Sequence, residues 1–314
     1  MSTSTTARFS TRELQAAADA LAAGRFVTST AAPTEPAPAA EGPHGNPSVR
    51  TDARAVAEPA RTAVSATPVA PVAPVATDLP GGIGPMVRVR AANAGAGAST
   101  ITLALADAAD AAGVRARILD AAAPAWSGLL GATVTELGAA EGWRRGRRGA
   151  NVLIDRVQEP VWVPAEVPAP RTVEGVDLTV LDAGWTPREL AAAPQGAWVA
   201  AARADVEVLV TRPYGLALSQ TEAALADLTD HLAAEQVVVV VVGAGRWSDR
   251  EFTSAGRLLR TAHEQEAVLF APLLAAKALP GLGPDPLPKQ LTNPSQHLLE
   301  RITSITGPLS TDRT

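Results

Sequence analysis

The stretch Val87-Arg-Val-Arg-Ala-Ala-Asn-Ala-Gly-Ala-Gly-Ala-Ser-Thr100 decides how this 314-residue chain is read. Val87 to Ala91 has the make-up of a short strand, Asn93 to Ser99 is a Gly-rich turn, and Ser99 to about Ala112 reads as a helix with Ile101, Leu103 and Leu105 among small residues. A strand that turns through glycine into a helix gathers backbone N–H groups and the positive end of the helix dipole at one place, which favours an anion. On the phosphate-loop pattern G-x-x-x-x-G-K-[ST], Gly97 and Ser99 match, but Ala98 stands at the lysine and Ala92 at the first glycine. Such a turn alone is a weak signal, so its surroundings decide.

Outward from it the chain alternates. Val114 to Leu119 reads as a second strand ending at Asp120, Asn151 to Val157 as a third, Val176 to Leu181 as a fourth ending at Asp182, and Val206 to Thr211 as a fifth. A helix over Ser219 to Ala234, a strand over Val237 to Val242, a helix over Thr253 to Glu266 and a seventh strand over Ala267 to Phe270 follow. Strands that are apolar on every residue are covered on both faces, as in a parallel sheet between helix layers. The expectation is a doubly wound, mostly parallel α/β domain over residues 85–314.

The preceding residues differ. Ser10 and Glu13 form a capping box for a helix over 10–26, and 27–84 is an Ala/Pro-rich segment with ten prolines between Pro33 and Pro80. Such a composition buries too little apolar area to offset backbone ordering, so it reads as a disordered linker. The helix reads as a peptide that recruits a protein partner, or as a frayed tail without consequence.

Composition removes several classes of function. Without cysteine there is no disulfide framework, zinc finger, iron–sulfur cluster or thiol nucleophile. A net charge of −5 argues against a surface devoted to nucleic acid. No secretory segment or transmembrane run is visible, and the greasiest run, Val237 to Val242, is strand-sized, so a cytoplasmic protein is expected. Lys277 and Lys289 are the only lysines, an Arg-for-Lys bias typical of a high-GC bacterial genome, which makes a missing lysine at one position weak evidence.

Strand, Gly-rich loop, helix, strand ending in Asp120 and later strand ending in Asp182 together resemble the deviant P-loop ATPases of the ParA/MinD family over roughly residues 85–290. The family loop reads K-G-G-x-G-K-[ST]-T. Gly95, Gly97, Ser99 and Thr100 fit it, while Asn93 and Ala98 stand where its two lysines belong. The resemblance implies nucleotide binding by Gly95, Ala96, Gly97, Ala98, Ser99 and Thr100, magnesium at Ser99 and Asp182, and catalytic roles for Asp120 and Asp182, with ATP or ADP as ligand. It also makes Val208-Leu-Val-Thr-Arg-Pro213 a sheet strand and Ala271-Pro-Leu-Leu the segment that closes over adenine. Losing one preorganised donor costs on the order of 10²–10³ in rate, so with both lysines absent efficient hydrolysis is not expected.

Two readings follow. One is a pseudo-ATPase that acts as a positioning, scaffolding or regulatory factor in partition, conjugation or polar assembly. The other is a weak ATPase whose homodimer binds DNA or a membrane-associated partner. Arg144, Arg145, Arg147 and Arg148 beside Trp143 are a candidate for non-specific DNA contact, with a solvated loop as the plainer reading. Arg88 and Arg90 could supply a cation to the loop or simply form salt bridges. His44, His231, His263 and His297 are too scattered for a metal site or a catalytic triad. Asp120 and Asp182 could equally be helix caps.

Overall fold

The computed structural model describes residues 84–275 and 281–309. The helix expected at 10–26, the linker expected up to 83 and Lys277 lie outside the described residues.

In chain order the elements are β1 (Met86–Ala91), α1 (Ala98–Ala111), β2 (Ala116–Asp120), β3 (Thr135–Ala140), β4 (Trp143–Arg148), β5 (Val152–Val157), β6 (Leu178–Asp182), α2 (Pro187–Ala191), α3 (Trp198–Ala201), β7 (Val206–Thr211), α4 (Gly215–Ala226), α5 (Thr229–Ala233), β8 (Val237–Val242), α6 (Asp249–Ser254), α7 (Arg257–Glu264), β9 (Val268–Ala271) and α8 (Thr292–Thr306). The strands form one sheet in the order β3-β4-β5-β2-β6-β1-β7-β8-β9. From β5 to β9 all neighbours run parallel; β4 is antiparallel to both β5 and β3. This is the expected doubly wound, mostly parallel α/β sheet.

Val237 to Val242 shows why the sheet needs two covers. Val238, Val240 and Val242 join the core under α1 and α8, while Val237, Val239 and Val241 join another core under α4 and α7. Each fully buried valine contributes roughly 1.5–3 kcal/mol, so neither face can stay wet. On that second side, over β2 and β6, Leu119 and Leu181 pack with Trp143, Trp198 and Val199.

Three of the departures from the sequence reading trace to identifiable contacts. The arginine run read as a solvated loop forms β4, hairpinned with β3, where the buried Asp155 and the half-buried Asp107 pair with two of its arginines. The helix expected over 219–234 breaks after Ala226, where the Thr229 hydroxyl donates to the Ala226 carbonyl at 2.7 Å. The helix expected over 253–266 breaks at Gly256. There the Glu222 carboxylate accepts from the Leu258 and Leu259 N–H groups at 2.8 and 3.0 Å and starts α7 afresh.

Candidate functional site

Parallel strands put their C-terminal ends on one edge, the edge where doubly wound sheets bind ligands. The loop after β1, Asp120 of β2, Asp182 of β6 and Arg212 just beyond β7 all lie there. The loop leaves β1 with the Ala92 N–H donating to the Val210 carbonyl at 2.8 Å and reaches α1 through Gly97, a left-handed N-cap at φ 102°. Ala96 is fully buried and its N–H donates to the Asn93 carbonyl at 3.2 Å. Around the α-carbons of Gly95 and Gly97 the space where a side chain would stand is empty, so the loop's outer side is open. Ala98, Ser99 and Thr100 form the half-buried first turn of α1.

The two carboxylates meet. Asp120 and Asp182 are register partners on adjacent strands, and both are buried. The turns that follow them hold them there. Gly184, at φ 66°, sits so close to Ala122 that an added Cβ would come within 2.6 Å of its backbone, and the Trp185 indole donates to the Ala121 carbonyl at 2.9 Å. Burial pushes the Asp120 carboxyl up to about 7, with the neighbouring Asp182 adding to it and the Ser127 hydroxyl and Ala122 N–H pulling it back. Burial likewise raises Asp182 to about 6, against the Ser99 hydroxyl and the Gly184 N–H. Neither aspartate caps a helix: Thr186, in a capping box with Glu189, does that for α2.

Asp182 Oδ2 is buried without a hydrogen-bond partner. An orphaned carboxylate oxygen beside a serine on the first turn of α1 fits a hydrated divalent cation, which takes oxygen ligands. Ser99 and Asp182 are the residues that would hold magnesium, and the ion would supply charge to a phosphate that the protein lacks. Among the described residues no group of three or more histidine or acidic side chains is placed to hold a metal by itself.

The loop after β2 crowds this place. A Cβ built on Gly128 would stand 3.0 and 3.1 Å from Ser99 Cβ and Oγ, with Leu282 at 3.7 Å. The loop is tied down by the Ser127 hydroxyl donating to Asp120, Arg156 donating to the Leu130 carbonyl, and Arg148 donating to the Ala132 carbonyl at 3.1 Å.

The cations are elsewhere. Asn93, at the first lysine position, is buried and donates to Thr211 Oγ1 at 3.1 Å. Arg88 and Arg90 point to the opposite face of β1 from the core under α1 and bind the buried Glu207, so the salt-bridge reading holds for them. Arg212, which sequence reasoning treated as part of a sheet strand, is the guanidinium at the loop. Its Nη2 and Nε donate to the Gly95 carbonyl at 2.7 and 3.2 Å. Of the arginine run, Arg145 binds Asp155 and Arg148 binds Asp107, and only Arg144 and Arg147 are exposed.

Comparison with solved structures returns the cell-division ATPase MinD of Pyrococcus furiosus at 19% identity, TM-score 0.46, over 70% of this chain and 99% of that one. The MinC:MinD cell division protein complex of Aquifex aeolicus is similar at 13% identity and TM-score 0.46, over 72% and 99%. A ParA family ATPase of Chlorobium tepidum is similar at 12% identity and TM-score 0.41, over 71% and 96%. No protein-family model matches the chain, and no curated protein matches it.

Proposed function

We propose that the chain is a degenerate ParA/MinD-like protein acting as a positioning, scaffolding or regulatory factor, in partition, conjugation or polar assembly, by docking rather than by turning over ATP. The observation that carries this reading is the fate of the positive charges around the loop. Both lysine positions are neutral, Asn93 faces inward, Arg88 and Arg90 are on the far side of the sheet, and Arg212 donates to a loop carbonyl. Phosphoryl transfer depends on cations placed where negative charge develops. Gly128 packed close to Ser99 supports the same reading, since it narrows the room for a phosphate at the first turn of α1.

A second reading, a weak nucleotide-dependent ATPase whose homodimer binds DNA or a membrane-associated partner, is favoured by the orphaned Asp182 Oδ2 and the open outer side of Gly95 and Gly97. DNA contact through the arginine run has less support, because half of its guanidiniums are held in ion pairs.

Calorimetric titration of the full chain with magnesium-ATP and magnesium-ADP, alongside Ser99→Ala and Gly97→Val, separates the two. Absence of binding at millimolar nucleotide is expected for the docking factor. Micromolar binding lost in both variants would overturn it in favour of the ATPase.

A further inference from the structure

At the β3 side of the sheet, away from the loop, a cavity of about 230 Å³ is lined by Arg117 of β2, Leu137 to Ala140 of β3, Trp143 and Arg145 of β4, Asp155 of β5 and Arg171. We propose that this cavity binds a small oxyanion, a carboxylate or phosphate group gripped by Arg117, Arg145 and Arg171. The proposal is independent of the nucleotide reading.

Asp155 is fully buried and is shared by two guanidiniums. Arg145 donates through Nε to Oδ1 at 2.6 Å and through Nη2 to Oδ2 at 2.7 Å, while Arg117 donates through Nε to the same Oδ2 at 2.8 Å. Arg117 Nη2 lies 2.6 Å from that crowded oxygen yet makes no well-directed hydrogen bond, and its side chain is only 1% exposed. Two guanidiniums, the buried Arg117 and the partly exposed Arg145, thus share one buried anion and leave the cavity wall with one more positive than negative charge. Arg171 adds another at the rim, 3.9 Å from an exposed Glu141. A buried guanidinium that shares its carboxylate is costly, and burial pulls Arg117 down against the attraction of Asp155, with Arg145 and Arg171 adding to the fall. An oxyanion would supply the missing acceptors in the planar geometry that guanidinium forks match.

The rest of the cavity is built rather than accidental. The Arg117 Nη1 donates to the Arg171 carbonyl at 2.7 Å and the Trp143 indole donates to the Ala169 carbonyl at 3.2 Å, so two side chains of the cavity wall fasten the stretch that carries Arg171. The ligand is small rather than an added strand, because the bulge between Glu136 and Gly138 distorts the β3 edge where a peptide would have to pair.

The test is thermal unfolding and calorimetry of the full chain with inorganic phosphate and, separately, malonate, at ionic strength matched with chloride. A saturable rise in midpoint with either anion is expected, and the stronger of the two names the class. Arg171→Ala, which removes only a half-exposed rim side chain, is expected to weaken binding at least tenfold. Arg144→Ala, exposed on the other face of β4, and Ser99→Ala, in the loop, are expected to leave it unchanged. No rise beyond the chloride control, or a rise that survives Arg171→Ala, would overturn the proposal. A rise lost in Ser99→Ala would overturn it too and assign the anion to the loop.

Discussion

Asp120 and Asp182 stand opposite each other as Cα partners on the parallel strands β2 and β6, each 1% exposed, with no lysine or arginine bonded to either among the described residues. Burial raises both carboxyls, and the neighbouring Asp182 raises Asp120 further, so each holds its proton to higher pH than it would in the unfolded chain. The folded state therefore binds more protons than the unfolded state between the ordinary aspartate value and the raised values of about 6 and 7. Stability falls as pH rises through that window and levels off above it. Carboxylates held down by arginine, such as Glu207 and Asp177, act in the opposite sense only at lower pH. Denaturant unfolding from pH 5 to pH 8 should show the decline. Asp182→Asn should flatten it and stabilise the protein at pH 8 by on the order of 1–3 kcal/mol, with little gain at pH 5.

Magnesium chloride should reverse part of that loss at pH 8, because the cation binds the ionised carboxylate. The rise in unfolding midpoint is expected to be absent in Asp182→Asn and to shrink at pH 5, where the proton competes. A rise of equal size in the variant would place the ion elsewhere.

Gly184 is what lets the two aspartate-bearing turns touch. Gly184→Ala adds a Cβ within 2.6 Å of the Ala122 backbone at a φ of 66°, so it meets both a clash and a disfavoured conformation. A loss of about 3 kcal/mol or more is expected. Any magnesium response should vanish with it, since Asp182 is displaced.

The strand–loop–helix, the six valines and both aspartates at the strand ends were legible because each signal is local: periodicity, glycine, a charge at the end of an apolar run. The β3–β4 hairpin was not. Trp143-Arg-Arg-Gly-Arg-Arg148 has a loop's composition, and the carboxylates that pair with Arg145 and Arg148, Asp155 and Asp107, lie outside it. Arg212 was missed for the same reason, because its partner, the Gly95 carbonyl, is a backbone atom 117 residues away that leaves no trace in side-chain pattern. Gly128 over Ser99 is likewise a contact of backbone with side chain, set by how the loop after β2 is tied.

Arg148 and Arg147 are neighbours with opposite fates, which tests whether the run is a binding surface or a staple. Arg148 is 3% exposed and holds both oxygens of Asp107 and the carbonyls of Ala132, Gly283 and Asp285. Arg148→Met strands those acceptors and should cost about 3–5 kcal/mol, whereas Arg147→Ala, exposed, should stay within about 0.5 kcal/mol. Urea unfolding of both variants reads the difference.

Restoring the charge tests the proposed function most directly. Ala98 is half-buried on the first turn of α1, at the lysine position of the loop, and the space beside Gly97 is open. If missing cations are what disable the site, Ala98→Lys should bind magnesium-ATP measurably by calorimetry at nucleotide concentrations where the natural chain shows no binding, since one charge-assisted hydrogen bond contributes roughly 1.5–3 kcal/mol. Turnover should remain slow, because the first lysine position still holds the inward-facing Asn93. Unchanged affinity would point instead to the loop carrying Gly128, whose packing on Ser99 would then be the element that keeps nucleotide out.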